Sequence, residues 1–116
     1  MNNYEKTLVK LIKIAESGDI AAQCGLADLY LRRKTDEGNK AAIPWLKKAA
    51  KQGDKWAQYQ LGLACKEGLG VPKNEKRAMH YYKLSASQGD DSAQLNLGTI
   101  YANLKGSKRN LAEAIR

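Results

Sequence analysis

Small and apolar residues recur along this chain at helical spacing. Ala22, Leu26, Ala27 and Tyr30 fall at i, i+4, i+5 and i+8, one side of an α-helix. The template returns as Ala57, Leu61, Gly62 and Cys65, and again as Ala93, Leu97, Gly98 and Tyr101. A glutamine follows the alanine each time, at Gln23, Gln58 and Gln94. The small residue in mid-pattern lets a neighbouring helix approach closely. A second template alternates with the first: Ala42, Trp45, Leu46 and Ala50 correspond to Ala78, Tyr81, Tyr82 and Ala86. The N-terminal stretch "YEKTLVKLIKIAESG" fits the same frame, with Leu11 and Ala15 in the last two positions.

The boundaries repeat as well. Gly18, Gly53 and Gly89 lie at intervals of 35 and 36 residues, each a C-terminal stop for a second-type helix. Asp19, Asp54 or Asp90 follows at once, a ready N-cap for the next helix. Asn39 and Asn74 are expected to cap the second-type helices, and "GLGVPKN" reads as a connector needing Gly at positive φ. Pro44 is expected near the first turn after Asn39, with a late helix start or a mild distortion. One such helix–turn–helix cannot bury its apolar face, whereas stacked copies share a continuous core. The pattern predicts an all-α solenoid of antiparallel helix pairs, about seven helices in one domain over residues 1–116. Residues 1–18 form a capping helix and 19–53 and 54–89 two repeats; 90–116 form an incomplete third, its last helix starting near Asn110.

Composition agrees. At 116 residues and 43% hydrophobic the chain is one domain's length with a packed core. Phe is absent and Val occurs only at positions 9 and 71, which argues against strands. No apolar run approaches the roughly 18 residues of a membrane span, and Lys10 and Lys13 interrupt what a secretory leader would keep apolar. A cytoplasmic location is the expectation. Cys24 and Cys65 match no metal or redox spacing and occupy positions that other copies fill with apolar or aromatic residues. They are expected to be buried free thiols.

The stretch "WAQYQLGLACKEGLGVPKNEKRAMHYYKLSASQGD", residues 56–90, resembles the Sel-one-like repeat, a branch of the tetratricopeptide-like solenoids. That pattern runs Ala, Leu-Gly, an aromatic, Gly-x-Gly-Val, Lys-Ala, paired aromatics and Gly-Asp. The copy at 22–54 has "RRKTDEGN" instead of the Gly-x-Gly loop, and Ala27 instead of Gly. The copy from Ala93 holds to Tyr101 and then degenerates into "ANLKGSKRNLAEAIR". The resemblance implies a right-handed superhelix and a role as adaptor or scaffold, with some bacterial relatives serving in host interaction or toxin immunity. The lone first helix, with Lys6, Lys10 and Lys13, suits an N-terminal cap. Apolar surface around Leu97, Tyr101 and Ala114 is left poorly covered, which suggests a homodimer through that end, a missing C-terminal portion, or fraying.

Reactive chemistry is sparse. His80, the single histidine, is the repeat counterpart of Pro44 on an outer face, without partners at metal-ligand spacing. A catalytic triad would have to be built on that residue alone. No catalytic residue, metal or cofactor is expected. Tyr30, Trp45, Tyr81, Tyr82 and Tyr101 hold repeated core positions. Trp56 and Tyr59 do not repeat: their counterparts are Ala21 and Cys24, or Ser92 and Leu95. Stacking does not demand them. In solenoids of this kind the first helices line the concave face, which implies a partner-binding centre of Trp56, Tyr59, Leu63 and Lys66. Asp28, Leu31 and Arg32 flank it on one side, Leu95 and Thr99 on the other.

The expected function is therefore a non-catalytic module that binds a protein or peptide in this groove. The alternative is a bacterial immunity or inhibitor protein docking on an acidic partner. Net charge is +8, which raises nucleic acid as a third reading. It ranks last, because Lys47, Lys48, Lys51, Lys76, Arg77 and Lys83 are dispersed and no base-stacking aromatics interleave with them.

Overall fold

The computed structural model describes residues 1–107. They form six helices: α1 (Asn3–Glu16), α2 (Ile20–Leu31), α3 (Asp36–Lys51), α4 (Lys55–Glu67), α5 (Glu75–Ala86) and α6 (Asp91–Ser107). No strand occurs among the described residues. The helix expected from about Asn110, with Ala114, lies outside them. Each helix packs on the next in sequence, and α4 also touches α6. The result is an all-α solenoid 60 Å long and 26 × 17 Å in section. Its radius of gyration is 16.3 Å, where a globular chain of this length would have roughly 13 Å.

The expected punctuation forms as follows. Side-chain carboxylates of Asp19, Asp54 and Asp90 accept the N–H groups of Ala22, Ala57 and Ala93 at 2.8, 2.8 and 2.9 Å. Just before them, Gly18, Gly53 and Gly89 adopt φ of 105°, 94° and 87°. Asn74 caps α5 by accepting from Arg77 N–H. The start of α3 differs from expectation. Thr35, not Asn39, is its N-cap, accepting Gly38 N–H at 3.0 Å. The shorter α2–α3 link reverses at Lys34, with φ 53°, and the helix begins before Asn39 is reached. Pro44 therefore sits more than two turns into α3 instead of in its first. Pro44 and Lys40 are both exposed, so water can reach the Lys40 carbonyl that the proline deprives of its N–H.

Gly70, in the α4–α5 connector, has φ 78° and lies on the backbone of α3: a Cβ there would be 2.7 Å from Asn39 C and O. Only glycine satisfies both conditions.

A polar ladder runs through the apolar stack. Gln23 Nε2 donates to Ala15 O at 3.0 Å, Gln58 Nε2 to Ala50 O at 3.2 Å and Gln94 Nε2 to Ala86 O at 3.3 Å. Each bond ties a first-type helix to the end of the helix before it. Gln52 and Gln88 then donate to Gln23 Oε1 and Gln58 Oε1, both at 2.8 Å. Gln23 and Gln58 are buried, so these amides must be paired where they sit. The repeated glutamine of the sequence is the part that joins one unit to the next.

Candidate functional site

The first-type helices α2, α4 and α6 stand in a row joined by side-chain bonds. Cys24 of α2 donates its S–H to Asp54 Oδ2, the N-cap of α4, at 3.3 Å. Lys66 of α4 donates to Asn96 Oδ1 of α6 at 3.2 Å. Trp56 is half-buried, packed on the cluster that α2, α3 and α4 share. With Cys24, Gly25 and Asp28 it walls an open depression of about 320 Å³. Asp28 accepts from Arg32 Nε at 2.8 Å, one helical turn on. Arg32 is exposed and Asp28 half-exposed, so this pair contributes only about 0.3–0.5 kcal/mol and leaves the carboxylate open to other partners.

The remaining candidates divide. Leu31 packs on the same cluster as Trp56. Tyr59 packs on a different cluster: its ring meets that of Tyr82 at 5.9 Å and 46°, within the cluster of α4, α5 and α6. Leu63 is half-buried on α4. Leu95 on α6 is 73% exposed, and Thr99 donates its hydroxyl to the Leu95 carbonyl at 3.0 Å. The geometry thus joins Trp56 to Asp28 at one depression and Lys66 to α6, while Tyr59 serves the core as well as the surface.

Cys24 was expected as a core thiol. It is half-buried instead and forms a wall of the depression. Burial first, then the hydrogen bond and negative charge of Asp54, push its thiol pKa up to about 12. It stays protonated and is a donor here, not a nucleophile. A signal for it was present in the repeat register, where Cys24 is the counterpart of Tyr59. Cys65 is buried, and both thiols are free. His80 is exposed, its ring edge-on to Tyr81 at 5.4 Å. Among the described residues no group of His, Cys, Asp and Glu is placed to hold a metal, and no helix is long and apolar enough to cross a membrane.

Residues 20–54, 57–90 and 91–116 match the Sel1 repeat, one unit after another along the solenoid. The chain belongs to the Sel1 repeat family. Among solved structures it is similar to a protective antigen present in uropathogenic Escherichia coli strains that displays an SLR fold. The two are 41% identical with a TM-score of 0.77, over 85% of this chain and 21% of that one. It is also similar to a Sel1 repeat protein from Oxalobacter formigenes, at 32% identity and a TM-score of 0.63, over 71% of this chain and 63% of that one. The chain therefore spans about a fifth of the first relative and under two thirds of the second. No curated protein matches it significantly. Sel1 repeat proteins are typically non-enzymatic and generally serve as protein-interaction modules. In this Sel1 repeat protein the stacking buries Leu26, Leu61 and Tyr82 fully, whereas Trp56 is only half-buried.

Proposed function

We propose that this chain is a non-catalytic interaction module that holds a segment of a partner protein along α2, α4 and α6. The observation that carries this reading is the depression walled by Trp56, Cys24, Gly25 and Asp28. It offers a large aromatic face, a protonated thiol and a carboxylate at one place, an apolar centre with a polar edge. Trp56 acts as the anchor. Leu31, Leu63 and the exposed Leu95 extend the apolar track, and Arg32, Lys66 and Thr99 give it polar borders; Tyr59 stiffens the middle through Tyr82. The reading goes with a cytoplasmic location, with which two free thiols are compatible.

The test is affinity capture with the wild type and Trp56→Ala side by side, at low and moderate salt, followed by titration of the captured protein. A partner held through this face survives the salt and weakens by about 2 kcal/mol or more, roughly thirtyfold, on loss of the indole. Undiminished binding by a folded Trp56→Ala variant overturns the assignment. Retention of nucleic acid that falls steeply with salt and ignores Trp56 would move the function to the basic surface.

A further inference from the structure

A second cavity, of about 300 Å³, opens between α3 and α5 above α4. Leu61 and Cys65 of α4 form its floor, Val71 of the connector one end, and Tyr81 of α5 a side; Lys47 of α3 and Arg77 of α5 stand at its mouth. Cys65 lies nine residues after Trp56, half a turn around the helix axis, so this cavity and the Trp56 depression are on opposite sides of α4. Its volume is at the lower end of the roughly 300–1,000 Å³ typical of small-ligand sites.

The repeat itself explains why the space is there. In the preceding unit the counterpart of Cys65 is Tyr30, that of Lys47 is Ile12, and that of Arg77 is Ala41. Tyr30 there packs with Ile12, Leu26 and Trp45 in a continuous apolar cluster. The third unit also has a tyrosine at this register, Tyr101. Only in the middle unit is the phenol replaced by a thiol, and there Lys47 and Arg77 stand where the preceding unit has Ile12 and Ala41; the lysine recurs as Lys83 in the third unit. Neither Lys47 nor Arg77 makes an ion pair among the described residues. Both act on the same point: burial pushes the Cys65 thiol pKa up, and the charges of Arg77 and Lys47 pull it back. An adjoining hollow that shares Arg77 and Tyr81 adds Lys76 and His80 to the rim.

We propose that this cavity binds an aromatic ring carrying a carboxylate. The ring takes the seat that Tyr30 fills in the preceding unit, and the acid group lies between Lys47 and Arg77. The guanidinium fork and the ammonium would supply charge-assisted hydrogen bonds that the cavity otherwise leaves unused. The site is separate from the partner-binding face, and its occupancy is independent of that proposal.

The experiment is a titration of the ¹⁵N-labelled full chain with two probes, followed by amide shifts. One probe is 4-hydroxyphenylacetate, the other an acetylated Asp-Tyr-Asp tripeptide. Saturable shifts at residues 65, 71 and 77 are the expected result, and the stronger probe tells a free aromatic acid from a peptide side chain. Cys65→Tyr installs the residue that the neighbouring units carry and should abolish those shifts. Lys47→Ala with Arg77→Ala, both at exposed positions, should weaken binding about tenfold or more, and uncharged 4-cresol should bind correspondingly worse. The double variant decides the matter even where Cys65→Tyr fails to fold. Shifts that do not saturate with either probe, that persist in a folded Cys65→Tyr variant, or that acetate reproduces equally well overturn the proposal.

Discussion

The ring of Tyr82 rests against the bare α-carbon of Gly62: a Cβ there would stand 2.7 Å from two ring carbons. Tyr82 is fully buried, so the ring cannot step aside. Gly62→Ala gains up to about 1 kcal/mol in helix propensity, yet is expected to lose about 1–3 kcal/mol net through overpacking. Gly25 of α2 is the control, since a Cβ there meets nothing within 4 Å. Gly25→Ala should stabilise the protein by about 0.5–1 kcal/mol. Urea unfolding of the two variants should shift the midpoint in opposite directions.

The same ring carries a hydroxyl that is buried without a hydrogen-bond partner among the described residues. Removing it removes an unpaid desolvation cost. Tyr82→Phe is expected to stabilise the fold by about 1 kcal/mol, read as a higher melting temperature. A lower one would mean that the hydroxyl has a partner in solution.

Gln58 is a joint of the ladder, bonded to the Ala50 carbonyl and to Gln88. Gln58→Ala leaves the carbonyl without that donor and opens a void, and about 2 kcal/mol should be lost. Gln94 makes the equivalent bond from an exposed position, where water can substitute. Gln94→Ala should cost under about 1 kcal/mol. Equal losses at both positions would contradict the role of burial in the joint.

The thiol pKa of Cys24 is raised from 9.0 to about 12, by burial first and then by Asp54. Above pH 9 the unfolded chain loses this proton while the folded chain keeps it. The contribution to stability is therefore complete below pH 9 and drains away as pH rises towards 12. Cys24→Ala should flatten that alkaline decline. Asp54→Asn should make Cys24 react faster with iodoacetamide at pH 9, because a carboxylate no longer disfavours the thiolate.

The helices were legible because each is written more than once. Asp19, Asp54 and Asp90, with the glycines before them, mark their boundaries without ambiguity. The start of α3 was not legible, because Thr35 and Asn39 are both competent caps and only the length of the preceding turn chooses between them. The site was legible in part. Trp56 and Tyr59 announced themselves by failing to repeat, but their different fates depend on Tyr82, which the alternation of helices brings beneath one and not the other. The cavity over Cys65 escaped notice for a related reason. A thiol in a tyrosine's place reads as one more apolar residue until the neighbouring helices show that none of the described residues fills the room.

Among the described residues each helix packs mainly on its sequence neighbours, and α4 and α6 also touch. Among the described residues no comparable packing joins the first unit to the last. Pulled from its two ends, the molecule has no single lock to break; it is expected to lengthen in steps, one hairpin yielding while the next still holds. The buried glutamine joints would set the force of each step, which makes the solenoid a graded spring and not a latch.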